Sequence, residues 1–307
     1  MFINVYKGTE KIDDLKSEEL KSFLNKSYNA LILVDNKDEF FKLLTEFAIQ
    51  DSVSSINSDD TLTIVDSLIV LIFNFFYFKK EKEIHCQVKI ILSKNYLIIF
   101  SKDKFFLSLC QEVIKNRKTE ELGHILHLLF NHILGYYLSI IENWTDEVAL
   151  IESNILQEVV ERDSYLKLSN MRSDIIHLNR AIKRQAEHLK ELVLMEHEYL
   201  TKSSKFYFEI TYEKASELSK TLDKLNDIIL NIYSLYLATL TVQQNETMKV
   251  LTSIAAIFLP ISFLASFFGM NFQMPFLKYE YGYLLCAAVM VVITLGSVLY
   301  FKRKRWI

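Results

Sequence analysis

Glycine and proline are scarce, with six and two in 307 residues. They are also unevenly placed. From Tyr136 to Phe268 there is no glycine, and Pro260 is the sole proline. Loops rely on these residues for punctuation, so their absence leaves long helices as the economical reading of the second half. Cysteine is equally sparse. Cys86, Cys110 and Cys286 form no C-x-x-C spacing and no even-numbered framework, which excludes a disulfide scaffold and fits reduced, buried thiols. No phosphate-binding glycine loop, nucleophile–base constellation or zinc-finger spacing occurs, so nothing points to an enzyme. The formal net charge is only −3, and no global field suggests nucleic acid as a partner.

Charge itself is missing from two stretches. Neither Val250 to Leu277 nor Tyr281 to Phe301 contains Asp, Glu, Lys, Arg or His. A helix needs roughly 20 apolar residues to cross a bilayer core, and each stretch meets that length. Both are predicted membrane spans, and their late position argues against a signal peptide. Lys302, Arg303, Lys304 and Arg305 follow the second span, whereas the connection between spans has only Lys278 and Glu280. The positive-inside bias places the C-terminus, and with two spans the large N-terminal portion, in the cytoplasm of a multi-pass cell (inner) membrane protein. The basic tail equally suits a lipid-headgroup anchor.

What is present falls into successive regions. Across residues 1–130, Ala30–Val34, Leu62–Val65, Ser67–Phe78, Val88–Leu92 and Tyr96–Phe100 are β-branched and aromatic runs, separated by polar turns. Lys37 to Ile49 has helical spacing at Phe40, Leu43, Leu44 and Phe47. A cytoplasmic α/β domain on a sheet of four to six strands is expected. Residues 136–200 read as a helical hairpin. One arm, Glu142 to Asp163, is acidic (Glu142, Asp146, Glu147, Glu152, Glu158, Glu161, Asp163), and the other, Asn170 to Leu200, is more basic.

A third helix follows. Leu218, Leu222, Leu225, Ile229, Ile232, Tyr236 and Thr239 recur at alternating steps of four and three, a heptad-like seam suited to helix association. No breaker separates this seam from the first span, so residues 204–271 are predicted as one helix of roughly 100 Å at 1.5 Å per residue. A rod of that length is expected to pack against copies of itself. Continuing the same spacing into the membrane gives Asn245, Met248, Thr252, Ala255, Leu259, Ser262 and Ser266, mostly small or polar. Ile254, Ile257, Phe258, Ile261, Phe263, Leu264 and Phe267 occupy the other faces. A small, polar stripe suits neighbouring helices or a water path rather than lipid. Met248, Leu251 and Leu259 could form apolar constrictions that exclude water.

The first span ends in Phe267-Phe-Gly-Met-Asn-Phe272. Gly269 can take a helix-ending conformation other residues resist. Asn271 then projects an amide at the non-cytoplasmic mouth. In one chain this amide reads as a cap, and in a ring of copies it becomes a ring of carbonyl oxygens.

Asn245-Glu-Thr-Met-Lys-Val-Leu-Thr252, Ile257-Phe-Leu-Pro260, Gly269-Met270-Asn271 and the end Lys302-Arg-Lys-Arg-Trp-Ile307 together resemble the CorA family of divalent-cation channels. The clear resemblance covers residues 235–307. It implies a funnel-shaped homopentamer: an α/β domain, a long α-helical stalk, and two C-terminal transmembrane helices (the second at 281–301), with a loop at 272–280 and a tail at 302–307. It implies uptake of Mg²⁺, with Co²⁺ or Ni²⁺ as further ions, through a pore lined by the first span. Asn271 forms the selectivity ring, and Asn245, Met248 and Leu251, with Leu259 further on, form constrictions. It further implies closure by cytoplasmic Mg²⁺. Glu209 and Glu213, one turn apart on the stalk, are candidates for that regulatory cation, although a solvated helix face explains them as well. His124, His127 and His132 lack a third ligand and read as ordinary helix positions.

One departure stands out. Where family members often have Met-Pro-Glu-Leu after the triplet, this chain has Met274-Pro-Phe-Leu277, so the loop acid is absent and Glu280 replaces it only in part. Two other readings compete. A zinc or nickel transporter of the same superfamily is one, against which Met270 argues mildly. A membrane-tethered coiled-coil scaffold is the other, and it leaves Asn271 unexplained.

Overall fold

The computed structural model describes residues 2–7, 10–13, 20, 23, 28–47, 49–50, 61–65, 67–79, 82–116, 121–157, 162–270, 281–304 and 306. The chain divides into two compact units, Met1–Ile151 with Arg162–Leu230, and Glu152–Glu161 with Asn231–Ile307.

In the first unit, alternation and β-branching build seven strands: β1 (Phe2–Lys7), β2 (Glu10–Asp13), β3 (Asn29–Val34), β4 (Thr61–Val65), β5 (Leu68–Lys79), β6 (Lys82–Leu92) and β7 (Tyr96–Phe100). They form one sheet in the order β2-β1-β3-β7-β6-β5-β4, antiparallel except for the β3–β7 pair. The sheet therefore exceeds the expected four to six strands. The unforeseen members are β1 and β2. The sequence of β2, Glu-Lys-Ile-Asp, has a single apolar residue and gives almost no strand signal.

The unbroken apolar run of β5 reflects burial on both faces. Leu68, Val70 and Ile72 join a core with Phe40, Leu43 and Leu44 of helix α1 (Lys37–Glu46), whose N-terminus is capped by Asn36. Phe73 and Phe75 point the other way. Their ring centroids lie 5.6 Å from Phe130 and 5.1 Å from Phe106, on α3 (Leu122–Leu156) and α2 (Lys104–Asn116). Among the described residues the β4 pairing ends at Ile72, and beyond it that edge of β5 has no strand partner. Tyrosine hydroxyls serve it: the amides of Phe76 and Phe78 donate to Tyr137 at 3.3 Å and to Tyr136 at 3.5 Å. Burial pushes both phenols up, so they stay protonated. Asp103 caps α2 by accepting from the amides of Phe105 and Phe106. It also accepts a 2.7 Å bond from Tyr77, which is the main reason that phenol is pushed up to about 12.

Helices α4 (Arg162–Leu194) and α5 (Lys202–Gly269) complete a bundle with α3. Glu121 accepts from Thr201 and Ser204, and Lys214 donates to Asn131, so α3 and α5 run parallel. Arg172 bonds Asn226, Asn179 bonds Ser219 and Asp223, and Lys183 pairs with Asp223, so α4 runs antiparallel to α5. Gly123 marks the tightest approach. A Cβ there would lie 2.6 Å from Ser204 Oγ. The hairpin arms differ from expectation in extent: α3 starts at Leu122 and ends at Leu156, and Asp163 belongs to α4, which ends at Leu194. Glu158 and Glu161 lie outside the described residues.

The heptad-like seam has a different partner from the one expected. Leu218, Leu222, Leu225 and Ile229 are buried within the chain itself, alongside the α4 contacts just named, rather than left open for copies. An apolar period specifies that a face is covered, and here the hairpin covers it. Tyr236 and Thr239 are only half-buried.

His127 is buried between α3 and α5, with Nδ1 2.7 Å from Thr211 Oγ1. The Thr211 hydroxyl donates to the Tyr207 carbonyl, so His127 Nδ1–H must donate to Thr211. Desolvation, helped by His124, holds the imidazole down at about 4. As the pH falls from the ordinary histidine value of about 6.5 towards 4, the unfolded chain gains a proton the folded chain refuses, and stability is lost. The full-length protein should therefore melt earlier at pH 5 than at pH 7, by about 1–3 kcal/mol in this contribution. In His127→Asn the difference between the two melting temperatures should shrink. An unchanged difference would refute the assignment.

All three cysteines are free, with Cys110 and Cys286 buried and Cys86 partly so. Burial pushes the Cys86 thiol up to about 12 and raises Cys110 as well, so neither is a ready nucleophile.

The second unit contains the remainder of α5 and α6 (Gly282–Arg303). Three described helices are long and apolar enough to cross a membrane: α3, α5 and α6. Half of the apolar window in α3 is buried by the protein, against 6% in the other two. The apolar character of α3 is thus spent on the core, and that of α5 and α6 is left facing outwards.

Candidate functional site

The membrane end of α5 has a covered side and an open side. Ser253 is fully buried, and Ile257, Pro260, Ile261, Leu264 and Phe268 are half-buried on the same side. On α6, Cys286 is buried and Met290, Ile293, Thr294, Ser297 and Phe301 are half-buried at helical spacing. Each helix of this unit therefore covers a single stripe, as a packed pair does.

The residues singled out in the sequence lie elsewhere on α5. Asn245, Met248, Leu251, Thr252, Ala255, Leu259, Ser262 and Ser266 are all exposed, with Met248, Leu251 and Leu259 at 56%, 67% and 70%. At 3.6 residues per turn this stripe is centred about 170° from the covered one. The mostly small or polar face thus points away from the covered side of α5.

Ser253 donates to the Lys249 carbonyl at 2.8 Å, and Thr239, Thr241 and Thr247 each donate to the carbonyl four residues back. Among the described residues, Thr252, Ser262 and Ser266 make no such bond, and their hydroxyls are free for water. Pro260 lies inside the helix without ending it. Its missing N–H leaves the Ala256 carbonyl without its helical donor.

α5 stops at Gly269, where the Met270 amide tightens to the Phe267 carbonyl at 3.3 Å. The expected role of Gly269 as a left-handed helix terminator is not what is found. It is the last helical residue, its backbone is outside the left-handed region, and a Cβ there would meet open space. Met270 is half exposed. Asn271 and the 272–280 loop lie outside the described residues, as does Arg305. Lys302, Arg303 and Lys304 are exposed at the C-terminal end of α6, where positive charge complements the helix dipole. Trp306 stacks back on Phe301 at 5.8 Å.

Glu209 and Glu213 are exposed one turn apart on α5. Among the described residues of one chain, no group of three or more His, Cys, Asp or Glu side chains could hold a metal ion. The two glutamates therefore have no further ligands among the described residues of the chain. His124 and His127 pack on Tyr207, and His132 lies 3.8 Å from Glu112, so the three histidines do not converge.

Sequence reading missed the covered stripe at Ser253 and Cys286. Spacing alone marks a small residue as packable but does not say against what. It also missed an ionic cluster between β6 and α4, where Glu83 accepts from His177 at 2.8 Å and lies 3.6 Å from His85.

Comparison with known proteins bears on all of this. A family model described as "CorA-like Mg2+ transporter protein" matches residues 32–303. The chain is 29% identical over 247 residues to the "Cobalt/magnesium transport protein CorA" of Thermotoga maritima, covering 78% of this chain and 70% of that one. It is 26% identical over 282 residues to the "Magnesium transport protein CorA" of Wolinella succinogenes, covering 84% and 81%. Among solved structures, the complete CorA magnesium transporter of Methanocaldococcus jannaschii matches with a TM-score of 0.84 at 23% identity, covering 100% of this chain and 99% of that one.

Proposed function

The chain belongs to the CorA family, and on that premise we propose that it is a homopentameric channel admitting Mg²⁺, and also Co²⁺ or Ni²⁺, to the cytoplasm. The observation that supports this reading most is the exposed stripe from Asn245 to Ser266. Apart from Met248, Leu251 and Leu259 it is small or polar, the hydroxyls of Thr252, Ser262 and Ser266 are free, and it lies opposite the side of α5 that is covered.

Mg²⁺ loses its water reluctantly and prefers hard oxygen ligands. Neither span supplies a carboxylate, so no cage of charged ligands forms within the bilayer. Rings of Asn271, Ser266, Ser262, Thr252 and Asn245 instead hydrogen-bond the water shell of a hydrated ion, which selects on the size and geometry of the hydrate. Met248, Leu251 and Leu259 form the apolar constrictions that stop flow by excluding water. The membrane potential contributes about 2.3 kcal/mol per charge per 100 mV, or about 4.6 kcal/mol for a divalent ion, so entry needs no other energy source.

In this reading the tail Lys302–Arg305 and the N-terminal unit are cytoplasmic. Glu209 and Glu213, brought together from adjacent subunits, take the regulatory Mg²⁺ that closes the channel. Residues 1–130 form the sensing domain, 136–200 the hairpin and 204–271 the stalk and first span, with 272–280 the outer loop and 281–301 the second span.

The test is uptake by proteoliposomes under a K⁺ diffusion potential, negative inside. Mg²⁺ should enter well above the rate of protein-free vesicles, and Co²⁺ should compete. Entry no faster than in protein-free vesicles would reject the channel. Entry of Zn²⁺ in preference to Mg²⁺ would reject the magnesium assignment.

A further inference from the structure

A cavity lies in the first unit, on residues that take no part in the stripe. It measures about 260 Å³ and lies between the end of the β5–β6 hairpin and α4, lined by Asn74, Phe76, His85, His177, Arg180, Ala181 and Arg184. No carboxylate is among its lining residues. The strand side follows from register: Asn74 and Phe76 project from β5 on the same face as His85, which pairs with Phe76 across the ladder. The Phe76 and His85 rings meet edge to face at 4.6 Å and make an aromatic wall.

The helix side is cationic. Arg180 and Arg184 stand one turn apart on α4, and like charges at that spacing repel unless something answers them. Arg184 has one partner, Glu187 at 3.1 Å, on the solvent side. Among the described residues Arg180 has none. His177 is held by Glu83 at 2.8 Å, and among the described residues the other Glu83 oxygen is buried without a partner. Two guanidinium forks from the helix, with the aromatic rings of Phe76 and His85 and the Asn74 amide from the strands, match one ligand chemistry. That ligand is a planar ring joined to a phosphate: guanidinium takes phosphate in bidentate fashion, and the ring lies against the wall.

We propose that this cavity is a nucleotide site, with the base against Phe76 and His85, Asn74 at the base edge, and the phosphate on Arg180 and Arg184. The volume holds the base, and the phosphate stays at the open rim beside the two arginines, which are exposed. The proposal does not depend on the ion pathway, because the residues belong to another unit and take no part in the stripe.

The probe is AMP, titrated into the full-length protein in detergent with EDTA present, so that chelation of divalent ions cannot mimic binding. Saturable binding by calorimetry is expected. Arg180→Ala and Arg184→Ala should each weaken it at least tenfold, since each removes a charge-assisted contact. Both side chains are exposed, and an unchanged melting temperature checks that the fold survives. Phe76→Leu should weaken AMP while leaving inorganic phosphate unaffected. Absence of AMP binding, binding unchanged in Arg180→Ala, or inorganic phosphate binding as tightly as AMP would each overturn the nucleotide assignment.

Discussion

Asn271→Ala should abolish most Mg²⁺ uptake while the protein still assembles. In the proposed ring the substitution deletes one amide from every subunit at once. Each lost hydrogen bond to the ion's water shell is worth about 0.5–1.5 kcal/mol, so five together remove several kcal/mol of discrimination for the hydrated ion. A fall of at least about 100-fold in uptake follows from a loss of that size. The elution volume in size-exclusion chromatography should not move, because the substitution leaves the buried seam of α5 intact. Uptake within about threefold of the unsubstituted protein would show that selectivity is set elsewhere on the stripe, with Ser262 and Ser266 next in line.

The absent loop acid sharpens this expectation. In the proposed channel Phe276 adds no charge to the outer loop, Glu280 is its sole acid, and Lys278 opposes it. Recognition then rests more heavily on the neutral amide. That leaves the residue at 271 a larger share of the work than it would have beside an acidic loop.

Much of this architecture was legible before any coordinates. β3, β4, β5 and β7 lie on the β-branched runs, and α5 runs from Lys202 to Gly269 as the missing glycines imply. Less legible was anything set by partners distant in sequence. His127 finds Thr211 84 residues on, and Glu83 finds His177 94 residues on, and no local pattern encodes either meeting. The long apolar window of α3 shows the same limit from another side. Its length and hydropathy match a membrane span, and only its burial under the sheet and the bundle distinguishes it. Within the candidate site, the open stripe was readable because its residue types are unusual for a lipid-facing helix. The covered stripe was not, because Ser253 and Cys286 are unremarkable until α6 is beside α5.

The seam on α5 provides the other large effect. Leu222 is fully buried where α4 lies along α5, flanked by the bonds of Asn179 to Ser219 and Asp223. Truncation to Ala at such a site costs about 2–5 kcal/mol, through lost transfer energy and the cavity left behind. Leu222→Ala should therefore lower the melting temperature markedly, and Leu222→Asp, which buries an unpaired charge, should leave the bundle unfolded. Protein concentration tells intrachain from interchain packing. If the hairpin of the same chain covers Leu222, the loss in Leu222→Ala is the same at every concentration, because no association step is linked to it. A deficit that fades as concentration rises would mean that copies cover the seam in solution. The stalk would then be held by its neighbours rather than by its own hairpin.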